Sequence, residues 1–167
     1  MTDDNWLTES EADTWRAYRR MRALLDLQLT RDLAAEGLSD ADYDVLSTLS
    51  EATGGELRPS DLASWMLWSR TRLSHHLTRM QRRGLVTRAE TSDDGRGTFI
   101  ALSSEGRNAL EQAAPGHVRS VRAHFIDLMT PDQVRVLGQV AHTLVDHLSD
   151  NVHSGRGTAS RALGRTD

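Results

Sequence analysis

Arginine is concentrated in one stretch of this chain, from Trp68 to Val86, which reads WSRTRLSHHLTRMQRRGLV. Between Leu62 and Ala89 the sequence has six Arg and no Asp or Glu. The whole chain is acidic, with 24 acidic residues, 20 Arg, no Lys and a net charge of -4. Residues 58–97 are nevertheless basic, since eight Arg against four acidic residues give +4 there. Because local charge decides which surface attracts phosphate groups, the chemistry indicated is phosphate and nucleic-acid binding.

The spacing of apolar residues predicts that this stretch is an amphipathic helix. Ser69 is the predicted N-cap, and Leu73, Leu77 and Met80 recur at i, i+4 and i+7 and are predicted to be buried. The opposite face is then free to enter a DNA major groove. There Arg can bond the O6 and N7 of guanine, and Ser or Thr can bond phosphates or base edges. The simpler alternative is an ordinary solvated helix face, but such faces usually mix charges of both signs.

A β-hairpin with the turn residues DDGRG at its tip is predicted after this helix, in LVTRAETSDDGRGTFIAL. Arg96 lies between two glycines at the tip, where it suits a narrow minor groove. The alternative is that the tip is ordinary turn chemistry and Arg96 a solubilising residue. At the helix end, Arg82 and Arg83 suit the DNA backbone, and the free N–H groups at the helix start suit a phosphate. The predicted DNA-binding residues are Ser69, Arg70, Thr71, Arg72, Ser74, His75, Thr78, Arg79, Arg82, Arg83 and Arg96.

The elements that must position this helix and hairpin are mostly helical. A capping box at residues 8–11 predicts the start of a long first helix, which ends near Gly37. Ser39 caps a second helix, and a short third helix begins near Pro59. The residues of the third helix that are predicted to face inward are Leu62, Ala63, Met66 and Leu67.

Two further helices follow the hairpin. One is capped by Ser103, with a predicted break or kink at Pro115-Gly116, and the last begins at Thr130-Pro131. The predicted fold class is mainly α with a small β-hairpin wing, that is, a winged helix-turn-helix. Residues 38–102 form the predicted DNA-binding domain, residues 1–37 and 103–150 a helical dimerisation region, and residues 151–167 a disordered tail.

The sequence resembles the MarR family, the multiple-antibiotic-resistance-type regulators, over about residues 8–149. The resemblance is carried by LSDADYDVLSTLSE, RPSDLASWMLWSRTRLSHHLTRMQRRGLV and DDGRGTFIALSSEGR in this order. It implies a transcriptional regulator, by default a repressor, that binds a pseudo-palindromic operator as a homodimer with intertwined terminal helices. Two positions depart from the family pattern, since the family often has Asp where Thr78 stands and two adjacent Arg where this chain has Gly95 and Arg96.

Two partners besides double-stranded DNA follow from this interpretation. A second copy of the chain is expected, because the first helix and the last two carry long apolar stripes. A small aromatic or anionic effector is implied by the resemblance, with Trp15, Tyr18, Arg22 and Tyr43 as candidate ligand-binding residues. The alternative for these aromatic residues is packing in the core.

Other classes of protein are disfavoured by the sequence. It has no Cys, which excludes disulfides and thiol-based sensing. The seven His show no metal-binding spacing, so no metal, cofactor or catalytic site is predicted and the chain is not expected to be an enzyme. No apolar run approaches the roughly 18 residues of a membrane span and no export signal is visible, which fits a cytoplasmic location. The alternatives left open are a winged-helix protein-interaction module without specific DNA binding and a metal-responsive DNA-binding regulator.

Overall fold

The structure is a computed structural model that describes the backbone of residues 6–90 and 98–161 and the side chains of residues 6–89 and 98–149. The elements that it describes are mainly helical, with three short strands. In chain order they are α1 (Glu9–Ala35), α2 (Asp40–Glu51), a 3₁₀ turn (Thr53–Gly55), β1 (Glu56–Leu57), α3 (Pro59–Trp65), α4 (Arg70–Arg82), β2 (Val86–Glu90), β3 (Thr98–Leu102), α5 (Ser104–His124), a second 3₁₀ turn (Ile126–Leu128) and α6 (Pro131–Arg161).

The predicted helix starts are confirmed by their capping bonds. Thr8 forms a full capping box with Glu11, and Ser39 forms one with Asp42. Ser69 accepts a hydrogen bond from the backbone N–H of Arg72 at 3.2 Å. These side chains satisfy N–H groups that have no partner inside the helix, which is why the three helices begin where the local sequence places them.

The chain divides into two compact units, residues 1–124 and residues 125–167. The first unit has one apolar core, to which α2, α3, α4, the sheet and α5 all contribute. Leu73, Leu77 and Met80 are buried in it, as their spacing predicts. In the second unit, α6 has an apolar stripe of exposed side chains, Val136, Val140, Leu144, Val145 and Leu148. The sequence predicts a disordered tail from residue 151, whereas α6 ends at Arg161.

The sheet has three antiparallel strands in the order β1-β3-β2. The predicted hairpin is the β2–β3 pair, in which Val86 pairs with Leu102 and Arg88 with Ile100. The sequence did not predict β1, whose Leu57 pairs with Ile100 on the other edge of β3. With only two residues, β1 is too short to show an alternating pattern.

Two local predictions are wrong. Leu67 does not face inward: its side chain is 78% exposed, and its φ of 52° places it in the left-handed region, in the turn between α3 and α4. Of the break or kink predicted at Pro115-Gly116, the break is absent, since α5 continues through Pro115 as one helix, and the kink stays a prediction. The packing of α5 against α1 stabilises the helix at Pro115. The two helices are close there, since a Cβ on Gly116 would come within 2.9 Å of Glu36 Oε1. No helix in residues 6–90 and 98–161 is long and apolar enough to cross a membrane.

Candidate nucleic-acid interface

The exposed face of α4 carries the predicted DNA-binding residues. The buried side chains of this helix are Leu73, His76, Leu77 and Met80, which form one stripe. At about 100° per residue, the positions opposite that stripe are Thr71, His75, Thr78 and Arg82. All the predicted residues within the described part of the chain are exposed, namely Ser69, Arg70, Thr71, Arg72, Ser74, His75, Thr78, Arg79, Arg82 and Arg83. The structure therefore brings these ten together on one surface.

Three of the predicted arginines have partners inside the chain. The Arg72 guanidinium lies over the Trp68 ring, with Cζ 4.1 Å from the ring centroid. Arg79 donates to His76 Nδ1 at 3.0 Å. These contacts restrict both side chains to one flank of α4, and the sequence pattern did not indicate either of them.

Arg83 has two intrachain acceptors. It donates to Asp42 Oδ2 at 2.6 Å and to the carbonyl oxygen of Gly37 at 2.9 Å. Both acceptors lie before or in the first turn of α2, so this arginine joins the C-terminus of α4 to the start of α2. Its role as a phosphate contact stays a prediction, and Asp42 is a residue that the sequence analysis missed.

Asp42 is a buried carboxylate. Burial opposes its ionisation, but the backbone N–H of Ser39 and the guanidinium of Arg83 outweigh burial and lower its pKa. A negative charge at this position is therefore maintained near neutral pH. His76 Nε2 lies 3.1 Å from Asp42 Oδ1, close enough for electrostatic attraction although not aligned as a hydrogen bond.

The other flank of α4 borders a cleft of about 390 Å³ between α3, α4 and the sheet. Arg70 of α4 and Arg88 of β2 both line it, and Arg58 lies over the Phe99 ring at 4.9 Å. Arg58 and Arg88 extend the basic surface beyond the predicted set. The sequence signal that could have found them is their place in the same basic segment, residues 58–97. Arg96 falls outside the residues that the structure describes.

The four candidate ligand-binding residues divide into two groups. Trp15 and Tyr18 stack at 5.7 Å on α1, and Arg22 lies 6.0 Å from the Tyr18 ring. Tyr43 instead packs against His117 of α5, with ring centroids 4.4 Å apart. Within one chain, no contact joins Tyr43 to the other three among the described residues.

Tyr43 lines a cavity of about 380 Å³, whose other lining residues are Asp44, Ser47, Thr48, Trp65, Met66 and His117. Burial raises the pKa of Tyr43, and burial together with Asp40 raises the pKa of Asp44. His117 Nδ1 is buried without a hydrogen-bond partner in the described structure. The cavity thus combines aromatic surface with unused polar groups, which suits a small organic molecule better than a metal. Among the described residues, no cluster of three or more His, Asp or Glu could hold a metal ion.

Comparison with known proteins finds transcriptional regulators and the MarR family. The sequence model described as "MarR family" matches residues 36–97. The transcriptional repressor YetL of Bacillus subtilis is 30% identical over 114 residues, which cover 66% of this chain and 68% of YetL. Among solved structures, AbsC of Streptomyces coelicolor, a MarR family transcriptional regulator, is 40% identical with a TM-score of 0.83, covering 87% of this chain and 99% of AbsC. Sco3205 from the same organism, solved in complex with DNA, is 36% identical with a TM-score of 0.81, covering 86% of this chain and 94% of Sco3205.

Proposed function

Because this chain belongs to the MarR family of transcriptional regulators, we propose that it is a sequence-specific repressor that binds a pseudo-palindromic operator as a homodimer. The observation that supports this most strongly is the exposed face of α4, which carries four Arg, with a fifth, Arg83, at its C-cap, and no acidic residue. A winged helix-turn-helix presents this helix to the major groove. The acid-free face does not favour the alternative of a protein-interaction module.

In this proposal the middle of the exposed face of α4 reads bases, and the arginines at its two ends hold phosphates. Thr78 already donates its hydroxyl to Ser74 O at 2.9 Å, so its oxygen is left to accept a bond from DNA. Arg79 is the candidate for a bidentate bond to guanine. Arg70, Arg82 and Arg88 have no hydrogen-bond or ion-pair partner within the described structure and are assigned to the phosphates. Arg96 enters the minor groove.

The proposed homodimer would cover exposed apolar surface. On α1 these side chains are Trp15, Tyr18, Met21, Leu24 and Leu27, and on α6 they are Val136, Val140, Leu144, Val145 and Leu148. Apolar stripes of this length are unusual on a monomer. A second copy places two recognition helices on successive major grooves, about 34 Å apart. Sedimentation should accordingly give twice the chain mass of 18.6 kDa.

The proposed effector is a small aromatic molecule in the cavity beside Tyr43. The Tyr43–His117 pair supplies a surface for stacking, and His117 Nδ1 supplies a buried polar atom that a ligand hydroxyl or carboxylate can bond. The cavity lies between α2, α5 and the end of α3. A ligand that separated these helices would shift α4, because α2 and α4 are joined through Asp42. Release of DNA is the outcome that we propose.

The test is selection of binding sites from a random-sequence duplex library with the purified chain. Enrichment of one inverted-repeat sequence is expected, with affinity that falls steeply as salt rises. Arg82→Ala should lower the slope of log affinity against log salt by about 1. Arg31→Ala, an exposed arginine on α1, serves as the matched control and should leave the slope unchanged. If no sequence is enriched, or the enriched sequence is bound no more tightly than a scrambled one, the proposal is wrong.

A further inference from the structure

His76 is a buried polar side chain on the recognition helix α4. Its Nδ1 lies 3.0 Å from a guanidinium nitrogen of Arg79, and its Nε2 lies 3.1 Å from Asp42 Oδ1. The Trp68 ring meets it edge-on at 5.4 Å. The imidazole thus lies between a carboxylate on α2 and an arginine that faces outward on α4.

The two neighbours determine which nitrogen carries the proton. A guanidinium can only donate hydrogen bonds, so Nδ1 must be unprotonated to accept from Arg79. The proton of the neutral ring is then on Nε2, where it faces the negative charge of Asp42. In this tautomer Nδ1 accepts from Arg79, and the N–H at Nε2 is attracted by the Asp42 carboxylate without an aligned hydrogen bond. Protonation to the imidazolium would place a proton on Nδ1 and remove the acceptor that Arg79 uses.

Among the described residues, the charged groups that face the ring come from α4 and α2. Arg79 and Arg72 approach from α4 itself, Asp42 approaches from α2, and Asp42 is in turn paired with Arg83. Burial lowers the pKa of His76, and the two guanidiniums add to this effect against the opposing pull of Asp42. The neutral ring is therefore the form present at physiological pH.

We propose that His76 is a positioning residue for DNA binding: in its neutral Nε2–H form it holds the Arg79 guanidinium in place on α4, and its protonation releases Arg79. This inference rests on the proposed function and assigns to one buried side chain the placement of a DNA-contacting arginine. An arginine that is already ordered loses less conformational entropy when it binds. Asp42 supports the arrangement by favouring the proton on Nε2.

Two substitutions separate positioning from simple packing. In His76→Asn the amide oxygen can occupy the place of Nδ1 and accept from Arg79, whereas His76→Leu keeps apolar volume and removes the acceptor. On the enriched operator, His76→Leu and Arg79→Ala should each lose about ten-fold in affinity, and the double variant should lose no more than either alone. His76→Asn should restore most of the affinity. Losses that multiply in the double variant would overturn the inference.

The dependence on pH provides a readout that a packing role would not change. As the pH is lowered from about 7.5, operator binding by the wild-type chain should weaken relative to a scrambled duplex once His76 becomes protonated, which its lowered pKa places below the usual range of a histidine. His76→Asn should lose the acid-induced weakening, and His75→Asn should keep it. Equal pH profiles for His76→Asn and the wild type would contradict the proposal.

The tautomer can be measured without DNA. In nitrogen-15 NMR spectra of the full chain near neutral pH, His76 is expected as the neutral ring with the proton on Nε2, and Arg79→Ala should shift its Nδ1 resonance. A proton on Nδ1 would overturn the inference even if DNA binding is intact. Conversely, a wild-type chain that enriches no DNA sequence overturns the proposed function and this inference with it, whereas an additive double variant overturns the inference alone.

Discussion

Arg82 and Arg83 are adjacent at the end of α4, yet the structure gives them different tasks. Arg83 bonds Asp42 at 2.6 Å and the Gly37 carbonyl at 2.9 Å, and Arg82 is exposed with no partner among the described residues. We therefore expect Arg83→Ala to lower the free energy of unfolding and Arg82→Ala to leave it nearly unchanged. For DNA binding we expect the opposite: Arg82→Ala should weaken binding more than Arg83→Ala, since only Arg82 is available to a phosphate.

The expected loss of stability in Arg83→Ala follows from how deeply the Arg83–Asp42 ion pair is buried. Removing one partner of a fully buried ion pair costs roughly 3–5 kcal/mol, because a charge is left buried and uncompensated. The Asp42 side chain is 4% exposed but that of Arg83 is 45% exposed, so solvent already screens part of the attraction. Asp42 also keeps its bond from the Ser39 N–H at 3.1 Å. The expected loss is about 2 kcal/mol for Arg83→Ala, against about 0.5 kcal/mol or less for Arg82→Ala.

The assay is urea unfolding followed by circular dichroism, at one protein concentration for all variants because dimerisation would couple to stability. Arg83→Lys keeps the charge but offers a single donor group, and its stability should lie between those of Arg83→Ala and the wild type. Equal unfolding midpoints for Arg82→Ala and Arg83→Ala would refute the reasoning. A salt slope for operator binding that falls by about 1 in Arg83→Ala and not in Arg82→Ala would refute the division of tasks.

Three further predictions concern the stability of the same fold. A Cβ at Gly106 would lie 1.9 Å from Leu85 O, so Gly106→Ala should destabilise the chain by at least about 3 kcal/mol in urea unfolding. Gly138→Ala, inside α6 with nothing within 4 Å, is the control and should stabilise by up to about 1 kcal/mol. Leu67→Gly should raise the thermal midpoint of unfolding or leave it unchanged, because glycine adopts a φ of 52° without strain and the leucine side chain is exposed. A clear fall in the midpoint would show that the leucine makes contacts that stabilise the turn. Folding lowers the pKa of His76 below its usual value of about 6.5. Below about pH 6.5, the folded chain therefore binds fewer protons at His76 than the unfolded chain does. The free energy of unfolding should thus fall as pH drops from about 7 to about 5, and less so in His76→Asn.

Much of the fold could be predicted because its signals are local. The caps at Thr8, Ser39 and Ser69 depend on residues three positions away, and the buried stripe of α4 depends on a period of 3.6 residues. The errors arose where local rules compete with packing. Leu67 continues the apolar spacing of α3 but lies in a turn, and Pro115 should weaken a helix that its contacts with α1 hold together.

The sequence by itself determined that one helix of an acidic chain has a basic, acid-free face and that a hairpin follows it. Charge and periodicity are properties of neighbouring residues, and a helix converts them directly into a surface. The tertiary structure alone decided which arginines on that surface are already engaged. Asp42 meets Arg83 across 41 positions of the chain, and it meets His76 only because α2 packs beside α4 in a common core. No local pattern encodes such a contact, because it depends on how the two helices are placed and on the burial that makes an unpaired carboxylate costly.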